Sequence, residues 1–92
     1  MKLEGVLYYW NPQRYFGVIE VRVRMGAGWR LDKYFLHSSQ IVFQTVEEIR
    51  SGCWARFEIR NFETKPGQLP LAGNVEIFEN QQQAQQAQGG AL

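Results

Sequence analysis

Residues 14–24 place the tightest constraint on what this chain can fold into. Gly17, Ile19, Val21 and Val23 alternate with Phe16, Val18, Glu20, Arg22 and Arg24. A period of two lines up every second residue on one face of a strand, whereas a helix would scatter the same residues around its circumference. One face is therefore small and aliphatic, suited to a core. The other is aromatic at one end and basic at the other.

The same reasoning predicts four more strands. Residues 3–11 are rich in β-branched and aromatic types and lack helical periodicity. Asn11-Pro12-Gln13 reads as the turn that follows. Met25-Gly26-Ala27-Gly28 breaks the second strand, leaving Trp29 in a long basic loop or at the start of a hairpin return. A short third strand is expected over 33–37, with Tyr34 and Leu36 on one face and Phe35 and His37 on the other. Ser38-Ser39-Gln40-Ile41 reads as a helical turn capped by Ser, and 42–51 as a connection. Strand four is expected over 53–62, with Ala55, Phe57 and Ile59 inward. Strand five is expected over 70–78, with Leu71, Gly73, Val75 and Ile77 on one side. Five strands without alternating helices point to an all-β, closed or nearly closed small barrel, and closure removes edges that would otherwise pair with other chains.

Ninety-two residues leave room for one domain. The barrel is expected over 1–79. From residue 80 onward the composition turns to Gln, Ala and Gly, which buries little apolar surface, so 80–92 reads as a flexible tail. Cys53 is the only cysteine, which excludes an intramolecular disulfide and reads as a small buried apolar residue beside Trp54. Neither the Cys nor the single His has partners at metal-ligand or nucleophile spacing, so no metal, no cofactor and no catalytic residue is expected. No apolar run follows Lys2 and no segment approaches the ~20 apolar residues of a membrane span, so the expectation is a soluble, reduced, cytoplasmic protein without a signal peptide.

Net charge is only +1, but Arg14, Arg22, Arg24, Arg30 and Lys33 lie within twenty residues that hold only Glu20 and Asp32 as acids. Flat rings beside cations can stack nucleobases and hold phosphate. The rings concentrate in Gly5–Ile19 and in Tyr34-Phe35-Leu36-His37. Tyr8, Tyr15 and Trp29 divide between packing and binding on sequence grounds alone.

These segments resemble a known family. Gly5–Ile19 reads G-V-L-Y-Y-W-N-P-Q-R-Y-F-G-V-I, similar without a gap to the opening of a cold-shock domain, G-x-V-K-W-F-N-x-x-K-G-F-G-F-I. Tyr34-Phe35-Leu36-His37-Ser38 resembles that family's V-F-V-H-F. Phe43-Gln44-Thr45-Val46 resembles F-K-T-L, and Ala72-Gly73-Asn74-Val75 resembles A-x-N-V. The resemblance spans about residues 3 to 79. It implies a five-stranded antiparallel OB-type barrel that binds single-stranded RNA or DNA on strands one to three. By position it implies a platform of Tyr9, Trp10, Phe16, Val18, Phe35, His37 and Phe43, with Asn11 and Arg14 beside it. Tyr8, Tyr15, Trp29 and Arg30 are added as ring or cation replacements. Departures fall at Val18 and Ser38, where the family has Phe, and at Tyr15, where it has Gly. The alternative is an OB-fold protein-interaction module, its partner meeting the aromatic face or the tail.

Overall fold

The computed structural model describes residues 2–61 and 66–90. It contains strands β1 (Leu3–Asn11), β2 (Phe16–Met25), β3 (Gly28–His37), β4 (Ile41–Gln44), β5 (Trp54–Asn61) and β6 (Leu71–Phe78), with a 3₁₀ turn over Ser38–Gln40 and a helix, α1, over Gln81–Gly90. The sheet order is β3-β2-β1-β5-β6, and β6 returns to β3 through a parallel Phe35–Leu71 pairing that closes the barrel. The backbone seam is a bond from the Phe35 N–H to the Pro70 carbonyl, 2.8 Å. This is the five-stranded all-β barrel of OB type, with the short β4 added on β6.

The core is what the alternation of β2 demands. Ile19 and Val21 meet Leu7, Leu36, Ala55, Phe57, Val75 and Ile77. Tyr34 joins them, its ring 5.1 Å from Phe57, and burial there pushes its hydroxyl pKa up. Cys53 is buried, as expected.

Several boundaries differ from the sequence reading. Residues 14 and 15 belong to the turn, so β2 starts at Phe16. The third strand does not start at 33. It runs the full length from Gly28, pairing residue by residue with β2 as far as Met25–Gly28. The supposed loop is therefore only a two-residue turn, Gly26-Ala27. Gly26 has φ 58° while Ala27 is not among the positive-φ residues, the pattern of a II′ hairpin turn that continues the strand twist. Trp29 lies within β3. Part of the expected 42–51 connection forms β4. In β6, Asn74 adopts φ 49° and the ladder skips a residue, so Ala72 rather than Leu71 or Gly73 shares the core side with Val75 and Ile77. Residue 62, the expected end of strand four, lies outside the described residues.

The start of the expected tail is helical. Asn80 Oδ1 accepts from the Gln83 N–H (2.8 Å), the bond of an N-cap, and Gln83 Oε1 accepts from the Glu79 N–H (2.8 Å), one residue before the cap. Thr45 Oγ1 also bonds Gln83 Oε1. Ala84 is fully buried, and its carbonyl accepts from Arg56 at 3.1 Å. Arg56 lies over the Phe78 ring, 5.0 Å from its centre, and bonds Glu76 Oε1 at 2.7 Å.

Candidate nucleic-acid interface

Strand β1 carries a bulge that determines which of its rings face outward. Leu7 pairs with Ile19, but Tyr9 pairs with Val18, so Tyr8 is the extra residue. Leu7 points into the core. Tyr8 and Tyr9 are both exposed. The alternation resumes with Trp10 opposite Gly17, on the inner side. Trp10 is partly buried against the core, so it is not part of the ring platform that the resemblance implies. It lines a neighbouring cleft of about 960 Å³ together with Tyr15, Ile41 and Ile49.

The platform that does form combines Tyr9, Phe16 and Phe35. Val18 stands directly across the ladder from both Tyr9 and Phe35. Phe16 is the diagonal neighbour of each, close enough for rings to meet. The Tyr9 and Phe16 centroids are 5.9 Å apart, tilted by 54°. Phe16 and Phe35 lie 5.7 Å apart and within 22° of parallel. His37 pairs with Phe16 and extends the patch. Its Nδ1 accepts from the Ser39 N–H (3.1 Å) and lies 2.8 Å from Ser39 Oγ. This assigns the ring proton to Nε2, facing away from the turn. His37, rather than a Ser, therefore caps the 3₁₀ turn.

The β1–β2 turn is organised by Asn11. Its Oδ1 accepts from the Gln13 and Arg14 N–H groups at 3.0 and 3.1 Å, and its carbonyl accepts from the Tyr15 N–H at 2.9 Å. Its Nδ2 reaches the Tyr9 hydroxyl at 3.4 Å. Asn11 thus shapes the turn and touches the platform's edge. Tyr15 sits at φ 59° with its ring exposed, and its carbonyl accepts from the Ser38 N–H (2.9 Å). Arg14 is exposed at the same turn.

Two further expected residues are elsewhere. Arg30 projects from the opposite face of β3 to Trp29 and Leu31. There it forms a two-pronged bond to Asp32, 2.7 and 3.0 Å, which raises its pKa. Phe43 is exposed on β4, and its ring neighbour is Phe78 at 5.9 Å rather than the platform.

Lys33 is a residue that the sequence reading left out of the interface. It follows Phe35 on the outward face, its ammonium 5.1 Å from the Tyr8 ring centre. Period two over 33–37 already puts Lys33 on the Phe35 face; what the sequence alone does not show is that Tyr8, the extra residue of the β1 bulge, comes within reach of its ammonium. Beyond it, Arg22 and Arg24 lie 5.4 and 5.9 Å from the centre of the Trp29 ring. Among the described residues, no cluster of three His, Cys, Asp or Glu side chains could hold a metal ion, and no helix is long and apolar enough to cross a membrane. Comparison with family models finds no match, and comparison with curated proteins finds none either.

Proposed function

We propose that this protein is a non-catalytic binding module for single-stranded nucleic acid, DNA or RNA, with low sequence specificity. The observation that carries the reading is the outward cluster in which the Phe16 ring meets both Tyr9 and Phe35 on one face of the sheet, with His37 at its end. Every base has a π-face, so such a cluster stacks bases without reading their edges. Lys33 and Arg14 supply cations at its borders. The resemblance of these strands to cold-shock domains supports the same reading. It extends to an RNA-chaperone or strand-protecting role in the cytoplasm.

The test is fluorescence anisotropy of labelled oligo-dT and oligo-U at two salt concentrations. Anisotropy is preferable to intrinsic tryptophan quenching because Trp10 is off the platform. Phe16→Ala and Phe35→Ala should each weaken binding about tenfold, within the ~1–3 kcal/mol per base of an aromatic stack. Both side chains are partly buried but lie outside the core cluster, so circular dichroism should stay unchanged. Affinity should fall with salt at a log–log slope of roughly 0.7 per phosphate contacted. Two folded variants that bind as the parent does would remove this site.

A further inference from the structure

The uninterrupted β2–β3 ladder presents a second ring with cations, Trp29 beside Arg22 and Arg24, on the same outward side and far from the first cluster. Phe35, Lys33, Leu31 and Trp29 alternate along β3, opposite Val18, Glu20, Arg22 and Arg24 on β2, with no bulge between them. Phe35 and Trp29 are six positions apart on β3, about 20 Å at ~3.3 Å per strand residue. Trp29 is 60% exposed and Leu31 53%. Arg22 and Arg24 both lie against the Trp29 ring, and among the described residues neither forms an ion pair. That leaves both guanidinium groups available to phosphate while they orient the indole.

The ribbon's outward face also borders a groove of about 530 Å³. Trp29, Leu31 and Arg22 of the ribbon line it together with Val6 and Trp54, and Glu4 and Glu20 also line it. Carboxylates in the groove repel phosphate. A strand passing here would lay a base on Trp29 and run its backbone past Arg22 and Arg24, away from the two carboxylates. Phe35, Trp29 and the two arginines would then be contacted by a single strand in sequence.

We propose that the interface is bipartite: a nucleic-acid strand held on the Tyr9–Phe16–Phe35 rings continues along the ribbon to a second stacking point at Trp29, clamped by Arg22 and Arg24. This deepens the stacking reading and rests on it. It makes affinity depend on ligand length in a way that a single platform does not. A stacked strand advances ~3.4 Å per nucleotide, so about six nucleotides cover the gap. A dT trimer reaches one cluster only, and a dT dodecamer reaches both.

The experiment compares labelled dT3 and dT12 on the parent protein, Trp29→Ala, Trp29→Phe, the Arg22→Ala/Arg24→Ala double variant and Phe35→Ala. Trp29→Ala should weaken dT12 about tenfold, leave dT3 unchanged and be largely rescued by Trp29→Phe. The double arginine variant should lower the salt slope for dT12 by about 1.4, two contacts at ~0.7 each, and leave the dT3 slope unchanged. Phe35→Ala should weaken both ligands. If Phe35→Ala weakens both while Trp29→Ala leaves dT12 unchanged, the platform stands and the second point falls. Equal weakening of dT3 and dT12 by Trp29→Ala would also overturn the two-point path. If Phe35→Ala changes neither ligand, the stacking reading itself fails.

Discussion

Tyr15 occupies a backbone conformation that L-residues other than Gly, Asn and Asp rarely adopt, at φ 59°. The exposed ring recovers little of that cost through burial. Strain of this kind is commonly kept where a side chain is needed for function. Two effects therefore separate at this residue. Tyr15→Gly should raise stability by about 0.5–1 kcal/mol, because relief of left-handed strain of ~1–2 kcal/mol exceeds the extra chain entropy of Gly. The urea midpoint should rise at constant m-value. If the ring also contacts bases, the same variant should bind oligo-dT more weakly. A lower midpoint would show that the ring stabilises the turn by packing. Asn11 acts at the same scale: its side chain closes the turn that places Tyr15, and it touches the Tyr9 hydroxyl. A residue expected as a ligand contact is thus also the organiser of the turn beside the platform.

At the scale of elements, β1 and β2 approach too closely at Gly17 to admit a side chain. A Cβ there would fall on the Tyr9 carbonyl, a backbone atom of the strand that carries the bulge, and on the partly buried Trp10 ring. Gly17→Ala should destabilise the protein by about 1–3 kcal/mol through overpacking, read as a lower urea midpoint. It should also weaken oligonucleotide binding, because Tyr9 is displaced from Phe16. Retained stability would mean that β1 shifts at little cost and that the bulge is softer than the ladder indicates. The alternation of β2, and the outward positions of Phe16, Val18, Phe35 and His37, were legible in the sequence because a period of two is a local property of a straight strand. The side taken by Trp10 was not. One inserted residue at Tyr8 reverses the parity of everything after it, and only pairing with Ile19 and Val18 shows where the insertion lies. The length of β3 was missed for a different reason. Gly26-Ala27 is both a strand break and a good hairpin turn, and the choice depends on whether the flanking segments pair.

At the scale of the whole molecule, α1 is joined to the barrel through a charged relay. Lys2 and Arg56 both meet Glu76 Oε1, at 3.4 and 2.7 Å, and Arg56 also bonds the Ala84 carbonyl. Burial pushes the Glu76 carboxyl up, but the hydrogen bond and charge of Arg56, with the charge of Lys2, outweigh it and hold the pKa below its ordinary value. A carboxylate with a depressed folded pKa stabilises the fold above its unfolded value and loses that contribution as pH falls through the folded one. Stability should therefore decline on acidification below about pH 4.5, the unperturbed value. Glu76→Gln should flatten this part of the profile and cost about 1 kcal/mol at neutral pH. Thermal melts of the two proteins between pH 3 and 7 check this, and parallel pH profiles would exclude Glu76 as a source of acid sensitivity. The near-neutral net charge fits the same picture: Arg30 is neutralised by Asp32 and Arg56 by Glu76, while Arg14, Arg22 and Arg24 form no ion pair among the described residues.

The sequence by itself determined the all-β class, the aliphatic core face of β2, the burial of Cys53 and the outward rings of β2 and β3. Each follows from residue type and a two-residue period that a strand cannot escape. The Asn80–Gln83 capping pair was also written there, four residues that read as a helix start only once α1 is given something to dock on. The tertiary structure decided the rest: the bulge that turns Trp10 inward, the pairing that extends the ribbon to Trp29, the partnering of Phe43 with Phe78, and the burial of Ala84. These are outcomes of contacts between segments or across a ladder. Their free energies depend on which surfaces meet, and that information resides in no single stretch of the chain.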